Sequence, residues 1–585
     1  MTTASPPTRK PLELLWPRPR FAEQIGERVP RTPSGEFRRV EDSSLPPEGY
    51  RLTLLRQGAT ITASSEAGFF YGQQTLRQWL ELHGNAAEVP GLIVKDYPSF
   101  RHRAFLLDVS RDKVPTMSAL YELVDLLARG KYNQLQLYME HTFAYEGHEE
   151  VWQNASPLTA DEIRSLDAYC RERFIQLVPN QNSFGHFHRW LQHDKYRPLA
   201  ETPEGIVHPF SMEREPFSLC PVDPKVPELL TDLYDQLLPA FSSDQLNVGF
   251  DETFELGEGR SAAACAEHGQ GRVFLDFLRQ VHSLAAERGR RIQVWGDIIL
   301  NYPELIAELP EDVVVVEWGY EASHPFSEDA ARIAAAGREH YVCPGTSSWQ
   351  SFAGRTTNAL SNLASAAFAG QQHGAAGYMV ADWGDHGHLQ PWVVSLPGLV
   401  AGASFAWNAE NAERREEMPL AELLDQHIFD DATGLGRAVC ELGNTYRQID
   451  PPPFNCSSLF VLTVFALHER ERDRDRTAGV SLESLARARD WVEKTMRAAP
   501  GKGGTRRREL ELAANYLRFA CDFGHERWAS GDLLSFDKIP TARRHSLADE
   551  LEGLIAEHRA VSALSYRPGG IDLSCAWLER IVSLL

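Results

Sequence analysis

Between residues 98 and 410 short apolar runs alternate with longer amphipathic stretches. The runs fall at 104–109, 134–139, 175–179, 246–250, 292–295, 313–317, 341–343 and 377–380. They have the length and branched apolar content of strands buried on both faces. Helical spacing of apolar residues fills 118–128, 160–174, 227–238, 271–288 and 359–369 and resumes beyond Leu396. Eight strand–helix units in about 300 residues predict an α/β fold, a (β/α)8 barrel. An open doubly wound sheet would want a glycine-rich loop after its first strand. The stretch there, Ser110-Arg111-Asp112-Lys113-Val114-Pro115, contains no glycine.

The flanking regions read differently. Residues 49–55 and 59–63 alternate apolar and polar around Gln57-Gly58, which predicts a hairpin. Leu76, Trp79 and Leu80 then share a helical face, so 1–97 reads as a small α+β domain with a loose, polar start. The barrel takes 98–410. Residues 411–585 read as mostly helical, with Leu510, Ala513, Ala514, Leu517, Cys521 and Gly524 on one stripe and Thr505 as a helix cap after the loop 500–504. The run 469–476 alternates in charge sign and reads as solvated.

Composition narrows the function. The 585 residues are 43% hydrophobic and 24% charged, which is globular. A net charge of -22 argues against a general nucleic-acid binder and gives no reason to dock on anionic lipid. No run is long enough to span a membrane, and the first residues carry no apolar signal core, so a cytoplasmic protein is expected. The eight cysteines are scattered with no C-x-x-C pair, which fits reduced thiols and not structural zinc. No metal or cofactor is expected. An oligomer formed through the C-terminal helices is compatible with the pattern.

Chemistry gathers after the strands, where barrel enzymes carry it. Strand four ends Leu246-Asn247-Val248-Gly249-Phe250-Asp251-Glu252, an adjacent acid pair. Strand two ends at Glu140 and His141; strand three leads into Asn182 and His186. Later ends bring Trp295, Trp318, Tyr320, Trp349, Trp383 and Asp385. Aromatic faces with carboxylates, Arg and His suit a sugar, which has an apolar CH face and many hydroxyls. One geometric condition stands out. Neighbours on a regular strand face opposite ways, so Asp251 and Glu252 can serve one substrate only if the pleat breaks there.

These motifs resemble glycoside hydrolase family 20, the β-N-acetylhexosaminidases, over roughly residues 45–400. The small domain's Gly68-x-x-Tyr71-Gly72-x-Gln74-Thr75-Leu76 is similar to the family's domain before the barrel. Arg103-Ala104-Phe105-Leu106-Leu107-Asp108-Val109-Ser110-Arg111 resembles its first barrel strand, with Arg103 matched to the Arg that grips sugar hydroxyls. Phe184-Gly185-His186 and Trp383-Gly384-Asp385 resemble two further motifs. There are departures: Asn247 stands for the usual His, Phe250 for a Gly, Asn180 and Asn182 for acids, and Asp385 for Glu.

The resemblance implies a retaining exo-β-N-acetylhexosaminidase acting on glycans or glycoconjugates with terminal β-linked GlcNAc or GalNAc. Its catalysis is substrate-assisted, an exception to the two-carboxylate scheme. Glu252 would carry the proton, and Asp251 would stay charged and orient the 2-acetamido group. Three other readings remain open: a narrow β-N-acetylgalactosaminidase, a non-catalytic amino-sugar binder, and a conventional retaining glycosidase with Glu140 or Glu317 as nucleophile.

Overall fold

The structure is a computed structural model describing residues 10–31, 36–207, 214–429, 434–467, 476–499, 501 and 504–585, apart from 532, 534, 535 and 537. All but Arg476 of the charge-alternating run 469–476 and most of the loop before Gly504 lie outside the described residues.

The N-terminal domain is a five-stranded sheet: β1 (Phe21–Pro30), β2 (Phe37–Glu41), β3 (Tyr50–Leu55), β4 (Gly58–Ala63) and β5 (Glu88–Asp96), in the order β1-β5-β3-β4-β2. The expected hairpin is β3–β4, antiparallel from Tyr50–Ala63 to Leu55–Gly58. Helix Glu66–Leu82 covers the sheet and buries Leu76, Trp79 and Leu80, capped by the Ser65 side chain on Gly68 N–H. Three strands were not legible. β1 and β2 are sheet edges with almost no buried residue, so they lack an apolar signature. β5 continues into the stretch 94–96, which reads only as an exit from the domain.

Eight parallel strands follow: β6 (His102–Asp108), β7 (Gln134–Tyr138), β8 (Gln176–Val178), β9 (Gln245–Asn247), β10 (Arg291–Trp295), β11 (Val314–Trp318), β12 (His340–Cys343) and β13 (Gly377–Asp382). A bridge between Asn180 and Asn247 closes β8 onto β9, making the expected barrel. Strand alternation sorts side chains into two layers. Ala104, Leu106, Val314, Val316, Met379 and Ala381 fill the interior. Phe105, Leu107, Val315 and Val380 pack outward on the helices.

Part of the interior is polar and fully connected. Asn247 donates to Gln136 (3.1 Å), Gln136 to Gln293 (2.7 Å) and Gln293 to Gln245 (2.6 Å). Buried amides are tolerated when each finds a partner.

The C-terminal region is helical, as expected. Its long helix Gly504–Ala529 buries Leu510, Ala513, Ala514, Leu517, Cys521 and Gly524. That helix already includes Thr505, which therefore sits in the first turn and is not the cap. The cysteines are all free; Cys265 and Cys440 are half-buried and the rest buried. No described helix is long and apolar enough to cross a membrane.

Candidate active site

β9 ends at Asn247, three residues short of the expected Phe250. Gly249 has φ 74°, Phe250 75° and Glu252 53°, so the pleat is broken where the acid pair requires it. Asn247 makes the break: its Oδ1 accepts the Gly249 N–H at 3.0 Å. A Cβ on Gly249 would collide with Asn182 Oδ1, so only glycine fits. Phe250 leaves the barrel and packs on Phe184, Phe274 and Phe277. The chain is thus anchored on both sides of the turn.

Both acids then reach one atom. His186 Nε2 lies 3.2 Å from Asp251 Oδ2 and 3.2 Å from Glu252 Oε2. His186 Nδ1 is 3.5 Å from Glu140 Oε1. Burial works against a charged ring, but Asp251 and the hydrogen-bonded carboxylates outweigh it and hold the His186 pKa well above its ordinary value. Asp251 is 8% exposed, and Glu252 is half-buried.

A third acid, absent from the sequence-based candidates, supports Glu252. Asp297 Oδ2 accepts the Glu252 N–H at 3.0 Å, and its Oδ1 accepts from Trp318 Nε1 at 3.2 Å. Burial, then the charges of Asp251 and Glu252, push its pKa to about 7. Its signal was Trp295-Gly296-Asp297 at a strand end. Glu255, three residues after Glu252, is also structural. It accepts from Thr202 and from the Phe217 and Ser218 N–H groups, fixing Phe217 edge-on to His186 at 4.7 Å between ring centroids.

Arg103 is not in the site. It belongs to the outward layer of β6, at the N-terminal end of the strand. Its guanidinium pairs with Glu48 (2.7 Å) and donates to Lys131 O (2.8 Å), Phe100 O (2.9 Å) and Tyr71 Oη (3.3 Å). It therefore joins the barrel floor to the small domain. The arginine at the site is Arg111, beyond the other end of β6. It pairs with Asp108 (3.2 Å) and Glu140 (3.4 Å) and lies over the Tyr138 and Trp383 rings at 4.6 and 5.2 Å.

The remaining candidates divide. Trp383 stands 4.7 Å from Tyr138 and 5.9 Å from Trp295; Tyr320 packs on Trp318 at 5.2 Å and on Trp349 at 5.0 Å. This aromatic set caps the barrel interior, with Trp318 its most open member. Asp385 accepts from Gln350 Nε2 at 3.2 Å, and burial raises its pKa to about 6 against the pull of Arg111.

Glu140 is 1% exposed and buttresses Arg111 and His186, so it is not open to a sugar carbon. Asn182 is fully buried and gives its amide to Tyr138 Oη at 2.6 Å, a support and not a contact surface. His141 is buried, its pKa lowered to about 3 by desolvation and the Arg189 charge; among the described residues it makes no hydrogen bond to the acid pair. Glu317 has outward parity on β11 and bonds His324 at 2.6 Å, away from the pocket. The conventional-nucleophile reading thus loses both of its carboxylates.

Among the described residues, two clusters bring possible metal-ligand atoms within 4.8 Å of one another: His186 with Asp251 and Glu252, and Glu317 with His324 and Asp329. The first is equally the arrangement that shares a proton among acids. The second pairs a buried carboxylate with an imidazole.

The chain is similar to several known proteins. The beta-hexosaminidase of Porphyromonas gingivalis is 25% identical over 333 residues, 52% of this chain and 40% of that protein. Human hexosaminidase D is 27% identical over 38% of this chain and 46% of its own length. The chain spans about half the length of the curated relatives it matches. A Flavobacterium johnsoniae chitobiase has the same fold over 95% of this chain and 99% of its own, with a TM-score of 0.59 at 16% identity. Glycosyl hydrolase family 20, domain 2, matches residues 18–97, and the family's catalytic domain matches 100–410, more than half of the chain. The chain therefore belongs to glycosyl hydrolase family 20.

Proposed function

We propose that the protein is a retaining exo-β-N-acetylhexosaminidase that removes terminal β-linked GlcNAc or GalNAc from glycans by substrate-assisted catalysis. The observation that carries this reading is the meeting of Asp251 and Glu252 on His186 Nε2, both at 3.2 Å, across a broken strand. In the first step Glu252 gives its proton to the glycosidic oxygen as the C1–O bond breaks. The sugar's acetamido oxygen attacks C1 and forms a cyclic oxazolinium. Asp251 accepts the acetamido N–H and balances the positive charge that develops there. In the second step Glu252 takes a proton from water as the water oxygen attacks C1 and opens the ring. His186 holds the two carboxylates together, and Asp297 fixes the backbone of Glu252. Arg111 and Asp385 are the groups suited to ring hydroxyls, with Trp383 and Trp318 for the CH face.

Aryl β-glycosides of GlcNAc, GalNAc, glucose and galactose test the reading. Hydrolysis of the two acetamido sugars alone is expected. Cleavage of GalNAc alone would narrow the specificity. Cleavage of plain glucosides would overturn the acetamido route, and no cleavage at all would leave a sugar-binding protein.

A further inference from the structure

We propose that Ser574 and Trp577, on the C-terminal helix Ile571–Val582, are positioning residues for Asp385, which makes the C-terminal helical region a working part of the sugar site. The inference rests on the reading of Asp385 as a hydroxyl-binding group. It starts from the loop after β13. His388 N–H returns to Gly384 O at 2.8 Å, and Gln390 Nε2 donates to Trp383 O at 2.7 Å, so the loop is a tight reversal. His386, Gly387 and His388 all have positive φ, at 58°, 91° and 49°. Residues other than glycine hold such angles only where surrounding structure imposes them.

The barrel fixes the base of this loop through Gly384 N–H to Asp108 at 2.9 Å and meets its far side at His388, which bonds the Arg111 backbone. The C-terminal region fixes its tip. Buried Ser574 donates its hydroxyl to Gly387 O, and Ser574 Oγ also meets His558 Nε2 at 3.0 Å. The Trp577 indole occupies the space of a Gly387 Cβ, at 2.6 Å, and stands 5.2 Å from the His386 ring. Phe465 closes on His386 at 4.6 Å.

A second tether reaches the carboxylate itself. Gln350, which donates to Asp385 Oδ2, accepts the Ser457 N–H on its own carbonyl at 2.9 Å. Elements beyond residue 450 thus hold both the loop that carries Asp385, at His386 and Gly387, and the Gln350 that bonds its carboxylate.

The test combines kinetics with hydrogen exchange on the full chain. Ser574→Ala and Trp577→Ala are expected to raise KM for an aryl β-GlcNAc roughly tenfold with kcat nearly kept, since misplacing a binding group costs ground-state and transition-state binding alike. Trp577→Phe should restore most of the loss. In an Asp385→Ala background neither change should add a further loss, because the group being positioned is gone. The exposed Leu573 lies on the same helix, and Leu573→Ala should match wild type.

An unchanged KM, or the same fold-loss with and without Asp385, would overturn the proposal. Exchange decides it independently of activity. Amides 384–390 should exchange faster in Ser574→Ala than in Leu573→Ala, and equal rates would contradict the brace even if no aryl hexosaminide is cleaved. In that last case the sugar-cleaving reading fails separately, on the wild-type assay.

Discussion

Two arginines flank strand β6, Arg103 near its start and Arg111 three residues past its end, and the two differ instructively. Arg103 and Arg111 both pair with acids and both lie near a tryptophan, at 5.1 Å from Trp407 and 5.2 Å from Trp383. Arg103 is 1% exposed, and its hydrogen bonds go to fixed protein groups on the floor of the barrel. Arg111 keeps a fifth of its side chain open at the rim. The same chemistry therefore serves assembly at one end and, in the proposed function, a sugar at the other. This is the division seen in barrels generally, with function at the C-terminal face and stability at the other.

Changes at the two ends should separate turnover from folding. The largest effect is expected for Glu252→Gln at the rim, about 10³-fold in kcat on substrates with poor leaving groups, as for loss of a general acid. Near-normal kcat there would remove Glu252 from the proton-carrying role. Next, Arg103→Ala leaves Glu48 half-paired at the floor and should cost about 3–5 kcal/mol of stability. Chemical denaturation measures this, and the molecules that remain folded should keep their kcat/KM. Arg111→Lys keeps a cation beside the buried Asp108 and Glu140 and should do the reverse, lowering kcat/KM about 10²-fold with a much smaller change in melting temperature. If both arginines shift the same quantity, the division of labour is wrong.

The smallest effect concerns Asp297. Its native pKa, raised to about 7, exceeds the ordinary 3.8 of an unfolded Asp. Between those values the folded state holds a proton that the unfolded state has lost. The associated stability is present at low pH and disappears as pH rises through about 7. Melting temperatures of Asp297→Asn and wild type should therefore diverge in the variant's favour between about pH 5 and pH 8. A constant gap would mean Asp297 is not protonated in the fold.

These contrasts also explain what could be read from the sequence. The eight barrel strands were legible because both faces of each are buried, which writes a continuous apolar run. Edge strands β1 and β2 bury almost nothing and wrote no such run. The acid pair was visible, but its geometry was not. Nothing in a linear pattern says that Asn247 ties Gly249 and turns the strand, although Gly249 itself was a hint. Arg103 and Arg111 stand in one sequence motif, and nothing in its linear pattern says which of them reaches the rim. Parity and strand direction, which decide where a side chain goes, become certain only once the strand ends are known. Glu140 and Asn182 stand at strand ends as candidate ligand groups in the sequence, but both are buried and bonded to neighbouring side chains. Asp297 was passed over because its partner, the Glu252 N–H, is distant in sequence.

The central claim is that Asp251 serves the acetamido group while Glu252 carries the proton. Titration of wild type and Asp251→Asn with a thiazoline that mimics the oxazolinium tests it most directly. The account expects competitive binding to wild type and a loss of at least about tenfold in the variant, the cost of one charge-assisted hydrogen bond. Equal affinity in both proteins, or no binding to a wild type that cleaves plain glucosides, would contradict it.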